Sequence, residues 1–152
     1  MKGQMRFRYS FQKIVDLKSN EKTQAEWVLS SAVGRLRAEE DSLNTLYSEK
    51  NDVESALDSS VLSRTTVSEL MVYQHYLEHL DNRIRHKTVD VRHAEINVTE
   101  KREILSSKMV EEKVWDQARS KAFAVHQALV LKKEQDSLDE MATNRYKKPS
   151  SM

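Results

Sequence analysis

The stretch that decides the fold runs from Ala25 to Leu57, AEWVLSSAVGRLRAEEDSLNTLYSEKNDVESAL. Within it Ala25, Leu29, Ala32, Leu36, Glu39, Leu43, Leu46, Lys50, Val53 and Leu57 recur at alternating steps of four and three, and eight of these ten are apolar. Such spacing keeps one narrow stripe on one side of a helix, which is the seam of a left-handed coiled coil. Upstream, Phe7, Phe11 and Ile14 continue a helical face less regularly. The pattern predicts a first helix over about residues 5–57. Asp58-Ser59-Ser60-Val61-Leu62-Ser63-Arg64-Thr65-Thr66 then breaks the ladder, because clustered Ser, Thr and Asp bond their own backbone in competition with helix. A turn is expected over about 58–66, and Thr66 with Glu69 three residues on matches a capping box.

A second ladder follows: Leu70, Tyr73, Leu77, Leu80, Ile84, Lys87, Val91, Ala94, Val98, Lys101, Leu105, Lys108, Glu112, Trp115, Arg119, Ala122, His126, Leu129 and Lys133, of which twelve of nineteen are apolar. It predicts a helix over about 67–141 and leaves a basic tail over 142–152. The expected fold class is all-α, with residues 1–152 as one coiled-coil domain: two long helices in an antiparallel hairpin. Composition agrees, since the 152 residues hold Gly 2 and Pro 1, too few breakers for a many-stranded sheet or a glycine-rich phosphate cradle. Only 38% of the chain is hydrophobic and 32% is charged, which suits a thin seam rather than a thick core.

A turn centred near residue 62 pairs Leu57 with about 67 and Phe11 with about 113. The first helix then runs out near residue 119, and about twenty residues of the second project beyond it, on the order of 30 Å. That overhang contains Ala122-Phe123-Ala124-Val125-His126-Gln127-Ala128-Leu129-Val130-Leu131, the most apolar stretch of the chain. Three occupants stand open for it: the N-terminal arm, a second copy, or an external partner through Phe123, Val125, Leu129 and Leu131. The same layout brings Lys2, Arg6, Arg8 and Lys13 to one end with Arg145, Lys147 and Lys148, a basic tip able to steer an acidic surface. Trp115 is expected near Phe7 or Phe11.

Lys+Arg 25 against Asp+Glu 24 gives a net charge of +1, with no overall field for nucleic acid. No cysteine is present, which excludes disulfides and thiolate metal sites and suits a reducing compartment. Neither a signal core nor a membrane-spanning run is visible. His75-Tyr76-Leu77-Glu78-His79 matches H-x-x-E-H, in which two histidines one turn apart hold zinc and the glutamate acts as base. A slender hairpin lacks the walled cleft that such chemistry needs, so no catalysis, metal or cofactor is expected. His79, His86 and His93 recur at heptad spacing beside the seam as a stripe that charges when pH falls.

Two passages carry a resemblance to a known family. The opening Phe7-Arg8-Tyr9-Ser10-Phe11-Gln12-Lys13-Ile14-Val15-Asp16-Leu17-Lys18 and the run Tyr73-Gln74-His75-Tyr76-Leu77-Glu78-His79-Leu80-Asp81-Asn82-Arg83-Ile84-Arg85-His86 resemble the bacterial flagellar export protein FliJ family. The resemblance implies a two-stranded antiparallel coiled coil similar to the central stalk of rotary ATPases, monomeric when free. Its implied partners are the flagellar export ATPase and its regulator, the cytoplasmic domain of the membrane export gate, and substrate chaperones. The implied location is cytoplasmic, at the inner face of the membrane at the flagellar base. Carried over residue by residue, the gate-contacting surface falls on Tyr76 and Leu80, with Leu43 and Leu46 on the facing helix; Arg83 and Lys87, with His86 displaced by one, depart from the family pattern at its rim. The basic tip, with Arg6 and Arg8, and the overhang are the ends expected to meet the ATPase ring. The rival from another class is a structural coiled coil that homodimerises without an ATPase partner.

Overall fold

In the computed structural model, which describes residues 6–147, the chain forms two helices, α1 (Gln12–Leu62) and α2 (Val67–Lys147). They pack on each other as a helical hairpin, and no strand occurs among the described residues. The stripe read from the sequence is the buried surface: Ala25, Ala32, Leu46, Leu80, Ile84, Val91, Ala94 and Val98 are all buried, and no polar residue joins them among the described residues. The chain divides into two compact units, residues 23–106 on one hand and 1–22 with 107–152 on the other.

The unit of residues 23–106 holds the turn and the tightest packing. Leu80 is 0% exposed and sits with Leu46 and Ile84, flanked by Leu43 and Val53. The polar ladder positions Glu39, Lys50 and Lys87 are not defects in this seam, because each finds a partner across it. Lys87 Nζ donates to Glu39 Oε2 at 2.9 Å, and Lys50 Nζ lies 2.9 Å from Asp81 Oδ1. The hydrogen bond and charge of Asp81 raise the Lys50 ammonium above its ordinary value. These pairs mark the register. Lys50 meets Asp81 where a turn at residue 62 called for residue 74, because the turn comes later than the serine-rich segment suggested.

Only residues 63–66 lie outside the two helices at the turn. Asp58, Ser59 and Ser60 stay helical, and the Ser63 hydroxyl donates back to the Ser59 carbonyl at 2.6 Å. Helix α1 then closes with the Thr65 N–H donating to the Ser60 carbonyl at 3.3 Å, while Arg64 takes a left-handed φ of 58°. This is the Schellman ending that normally uses glycine, here built on arginine at a cost of about 1–2 kcal/mol. On the other side the Glu69 N–H donates to Thr66 Oγ1 at 3.3 Å and caps α2. The Glu69 carboxylate accepts from the Thr65 hydroxyl rather than completing the box at Thr66.

In the second unit, three cross-helix pairs hold α1 to α2, each at 3.2 Å: Lys18 to Glu111, Lys108 to Glu21 and Lys22 to Glu112. The hydrogen bond from Lys108 holds the Glu21 carboxyl below its ordinary value, and the bond to Glu111 raises Lys18. Val15 is the buried apolar residue of this α1 segment. Helix α1 starts at Gln12, not near residue 5, and residues 6–11 form a non-helical arm. Helix α2 runs six residues past the expected end, through Arg145 to Lys147; the remaining tail, with Lys148, and Lys2 at the other terminus lie outside the described residues.

Candidate functional site

The arm is built by alternation. Phe7, Tyr9 and Phe11 are spaced two apart, the period of an extended chain, so an arm can lay one side of itself along a helix. Phe11 meets Trp115 with ring centroids 6.0 Å apart, and Phe7 packs edge-on against Phe123 at 5.1 Å and beside His126 at 5.4 Å. Four residues of arm thus span eight residues of α2, about 12 Å, where four helical residues would cover about 6 Å. The first part of the overhang is therefore occupied by the arm. Phe123 remains 43% exposed, whereas Val125, Leu129 and Leu131 are 61%, 60% and 65% exposed. A groove lined by Phe7, Phe123, His126, Gln127, Val130 and Leu131 continues from the arm along α2.

Beneath the arm the basic residues gather differently from the sequence expectation. Arg6 and Arg8 line a cavity with Phe7, Tyr9, Gln12 and Arg119. Arg145 is further along α2, about 39 Å from Arg119 at 1.5 Å per residue, so the two basic groups form no single tip. The cause is the length of α2, which carries its basic end well past the residues that the arm reaches. Arg119 joins the basic group that the sequence placed at the N-terminus, a partner hidden by more than a hundred residues of separation.

A second surface lies on the other unit, just after the turn. Tyr76 is 43% exposed and stands 6.3 Å from the His79 ring. Val72, one turn earlier, is 68% exposed, and Met71 beside it is also open; sequence reasoning did not single out either, although the i, i+4 step from Val72 to Tyr76 was a readable signal. Leu80 and Leu46 are at the bottom of the core, and Leu43 is packed partly buried against them. The four residues carried over from the family resemblance thus divide into one reachable side chain, Tyr76, and three that support the helices beneath it.

His75 and His79 are exposed, and His75 Nδ1 is 3.9 Å from Glu78 Oε2. Among the described residues no group of three or more His, Cys, Asp or Glu side chains is arranged to hold a metal ion. His86 and His93 are likewise exposed. No helix among the described residues is long and apolar enough to cross a membrane.

The chain is an all-helical hairpin with large apolar side chains exposed along both helices, Val72, Tyr76, Val125 and Leu129 among them. Residues 7–151 match the family described as Flagellar FliJ protein. A Flagellar FliJ protein of Bacillus subtilis (strain 168) is 28% identical over 144 residues, covering 93% of this chain and 97% of that relative. The chain belongs to the FliJ family, and membership implies a role connected with flagellar protein export. No solved structure matches it significantly.

Proposed function

We propose that this protein is a non-enzymatic coupling and chaperone-escort subunit of the flagellar export apparatus, which contacts the export ATPase ring through the α2 overhang and the export gate through the surface around Tyr76. The observation that carries the reading is the open apolar surface of α2 past the arm, where Val125 and Leu129 stand one turn apart on one face and Leu131 opens on another, each about three-fifths exposed. Apolar surface of that kind favours a protein partner, since removing it from water is worth about 25 cal/mol per Å². At the other surface, Tyr76 offers a stiff, amphipathic contact of the sort enriched at the centres of interfaces. The two contacts lie on different units, which suits a part that links two neighbours. The protein acts in the cytoplasm, at the membrane face of the flagellar base.

The test is the ATP hydrolysis rate of the same organism's flagellar export ATPase with the full chain, with a Val125→Ser/Leu129→Ser/Leu131→Ser variant, and with neither. Exposed positions are chosen because a truncation at Arg119 would also uncover Phe7. Stimulation by the full chain that the variant loses supports coupling through the overhang. No binding and no change in rate from either protein overturns it. A concentration-dependent dimer in light scattering, abolished by the same variant, would then establish the homodimer reading.

A further inference from the structure

We propose that the cavity under the arm is a binding site for the phosphate group of a small molecule. Arg6, Arg8 and Arg119 line it together with Gln12, Phe7 and Tyr9, and the cavity measures about 530 Å³. No carboxylate lines it, and among the described residues neither Arg6 nor Arg8 has an ion-pair partner. All three arginines are exposed to solvent, so an anion entering the space would exchange their hydration for charge-assisted contacts. The first turn of α1 begins here and also carries no acid, so the helix dipole adds to the positive field, although the N–H groups of Gln12, Ile14 and Val15 already donate to the Tyr9 and Phe11 carbonyls.

Arg119 is oriented for the task. Its Nε donates to Gln12 Oε1 at 2.7 Å, and its guanidinium lies over the Phe7 ring at 6.0 Å. Those contacts hold the plane of the fork and leave the two terminal nitrogens to donate elsewhere. Gln12 is itself fixed, since its Nε2 donates to Asp16 Oδ1 at 3.0 Å; Asp16 is the nearest acid that these contacts name, and it is tied to Gln12. A tetrahedral dianion matches this arrangement better than a single carboxylate. It offers three oxygens to forks arriving from two elements and neutralises more of the charge. The space exceeds one phosphate, and the Phe7 and Tyr9 rings at its edge suit a flat organic moiety.

Filling the site has a structural effect. Arg6 and Arg8 belong to the arm and Arg119 to α2, so one anion bridges the two and clamps Phe7 on Phe123. The ligand and the arm therefore stabilise each other. This inference is independent of the export role proposed above.

The experiment is calorimetric titration of the full chain with inorganic phosphate, with ADP and with polyglutamate, at constant ionic strength near physiological. A Trp27→Phe version, in which Trp115 beside Phe11 is the sole indole, reports the arm by fluorescence. Saturable binding of phosphate or ADP is expected, with the stronger of the two identifying the source of the phosphate group. Arg119→Gln and Arg8→Gln should each weaken it about tenfold or more, as loss of a charge-assisted bidentate contact does. Lys121→Gln, on α2 outside the cavity, should change it less than about twofold. Absence of saturable binding by both small ligands overturns the proposal, as does an equal loss in Lys121→Gln. Saturation by polyglutamate alone also overturns it and assigns the cavity to an acidic protein segment.

Discussion

Replacing Leu80 by alanine tests the account of what holds the hairpin together. Leu80 is 0% exposed and touches the small cluster of Leu46 and Ile84 with Leu43 and Val53 around it. Alanine removes three carbon groups, and at about 0.8 kcal/mol for each buried methylene the transfer loss is about 2.4 kcal/mol. A cavity term adds to this, but in a core one layer thick the neighbours close in readily, so the sum stays near the lower end of the usual Leu→Ala range, about 3 kcal/mol. That is more than a hundredfold shift toward the unfolded state. Leu129→Ala is the control, because its side chain is already 60% exposed and the same deletion there should cost less than about 0.5 kcal/mol. Urea unfolding of both variants, followed by circular dichroism at constant slope, gives the two numbers. If Leu80→Ala costs under about 1 kcal/mol, or no more than Leu129→Ala, the seam is not the source of stability.

Arg64→Gly should stabilise the protein by about 0.5–1 kcal/mol in the same assay, since it relieves the left-handed φ and loses only part of that gain to unfolded-chain entropy. Glu21, whose carboxyl is held below its ordinary value by Lys108, contributes stability above the usual carboxylate pKa and loses it as the pH falls through the lowered one; Glu21→Gln should flatten the acid limb of the pH–stability curve and leave the alkaline limb in place. Lys50, raised by Asp81, behaves oppositely, contributing below the ordinary lysine value and fading as the pH rises through the raised one; Lys50→Met should show its difference from the parent shrinking at high pH. Tyr76→Ala should leave the urea midpoint within about 0.5 kcal/mol of the parent while weakening binding to the isolated cytoplasmic domain of the export gate; unchanged binding would remove Tyr76 from the proposed gate surface.

The seam was readable because burial in a two-helix hairpin is a matter of phase. Leu46, Leu80, Ile84 and Val98 are buried because they fall on the 3,4 ladder, and nothing outside the ladder is needed to place them. The ends of α1 were less readable for local reasons. Phe7 and Phe11 are four apart, a step that fits a helical face as well as an extended arm, and only the aromatic and histidine side chains waiting at 115, 123 and 126 decide between them. At the other end, serines lower helix propensity in isolation, yet Ser63 returns its hydroxyl to Ser59 within the helix, and the left-handed residue is an arginine, which carries no turn signal. At the candidate sites, composition marked the apolar run of 122–131, but which members face outward depends on where the arm lies. The meeting of Arg119 with Arg6 and Arg8 joins distant parts of the chain that no local pattern connects.

The order in which contacts can form follows from the turn. Ser60 and Tyr73, hydroxyl to hydroxyl at 3.4 Å, are separated by 13 positions, whereas Gln12 and Arg119 are separated by 107. Closing the longer span costs about 1.9 kcal/mol more in chain entropy, so pairing begins beside the turn and closes toward the termini, with the arm docking last. On the ribosome the sequence of events is stricter still. Helix α1 is complete when residue 62 has been made, but its N-terminal end has nothing to lie against until residue 119 follows, about 3–11 s later at 5–20 residues per second. During that interval the chain carries a finished apolar stripe with half its partner still unmade.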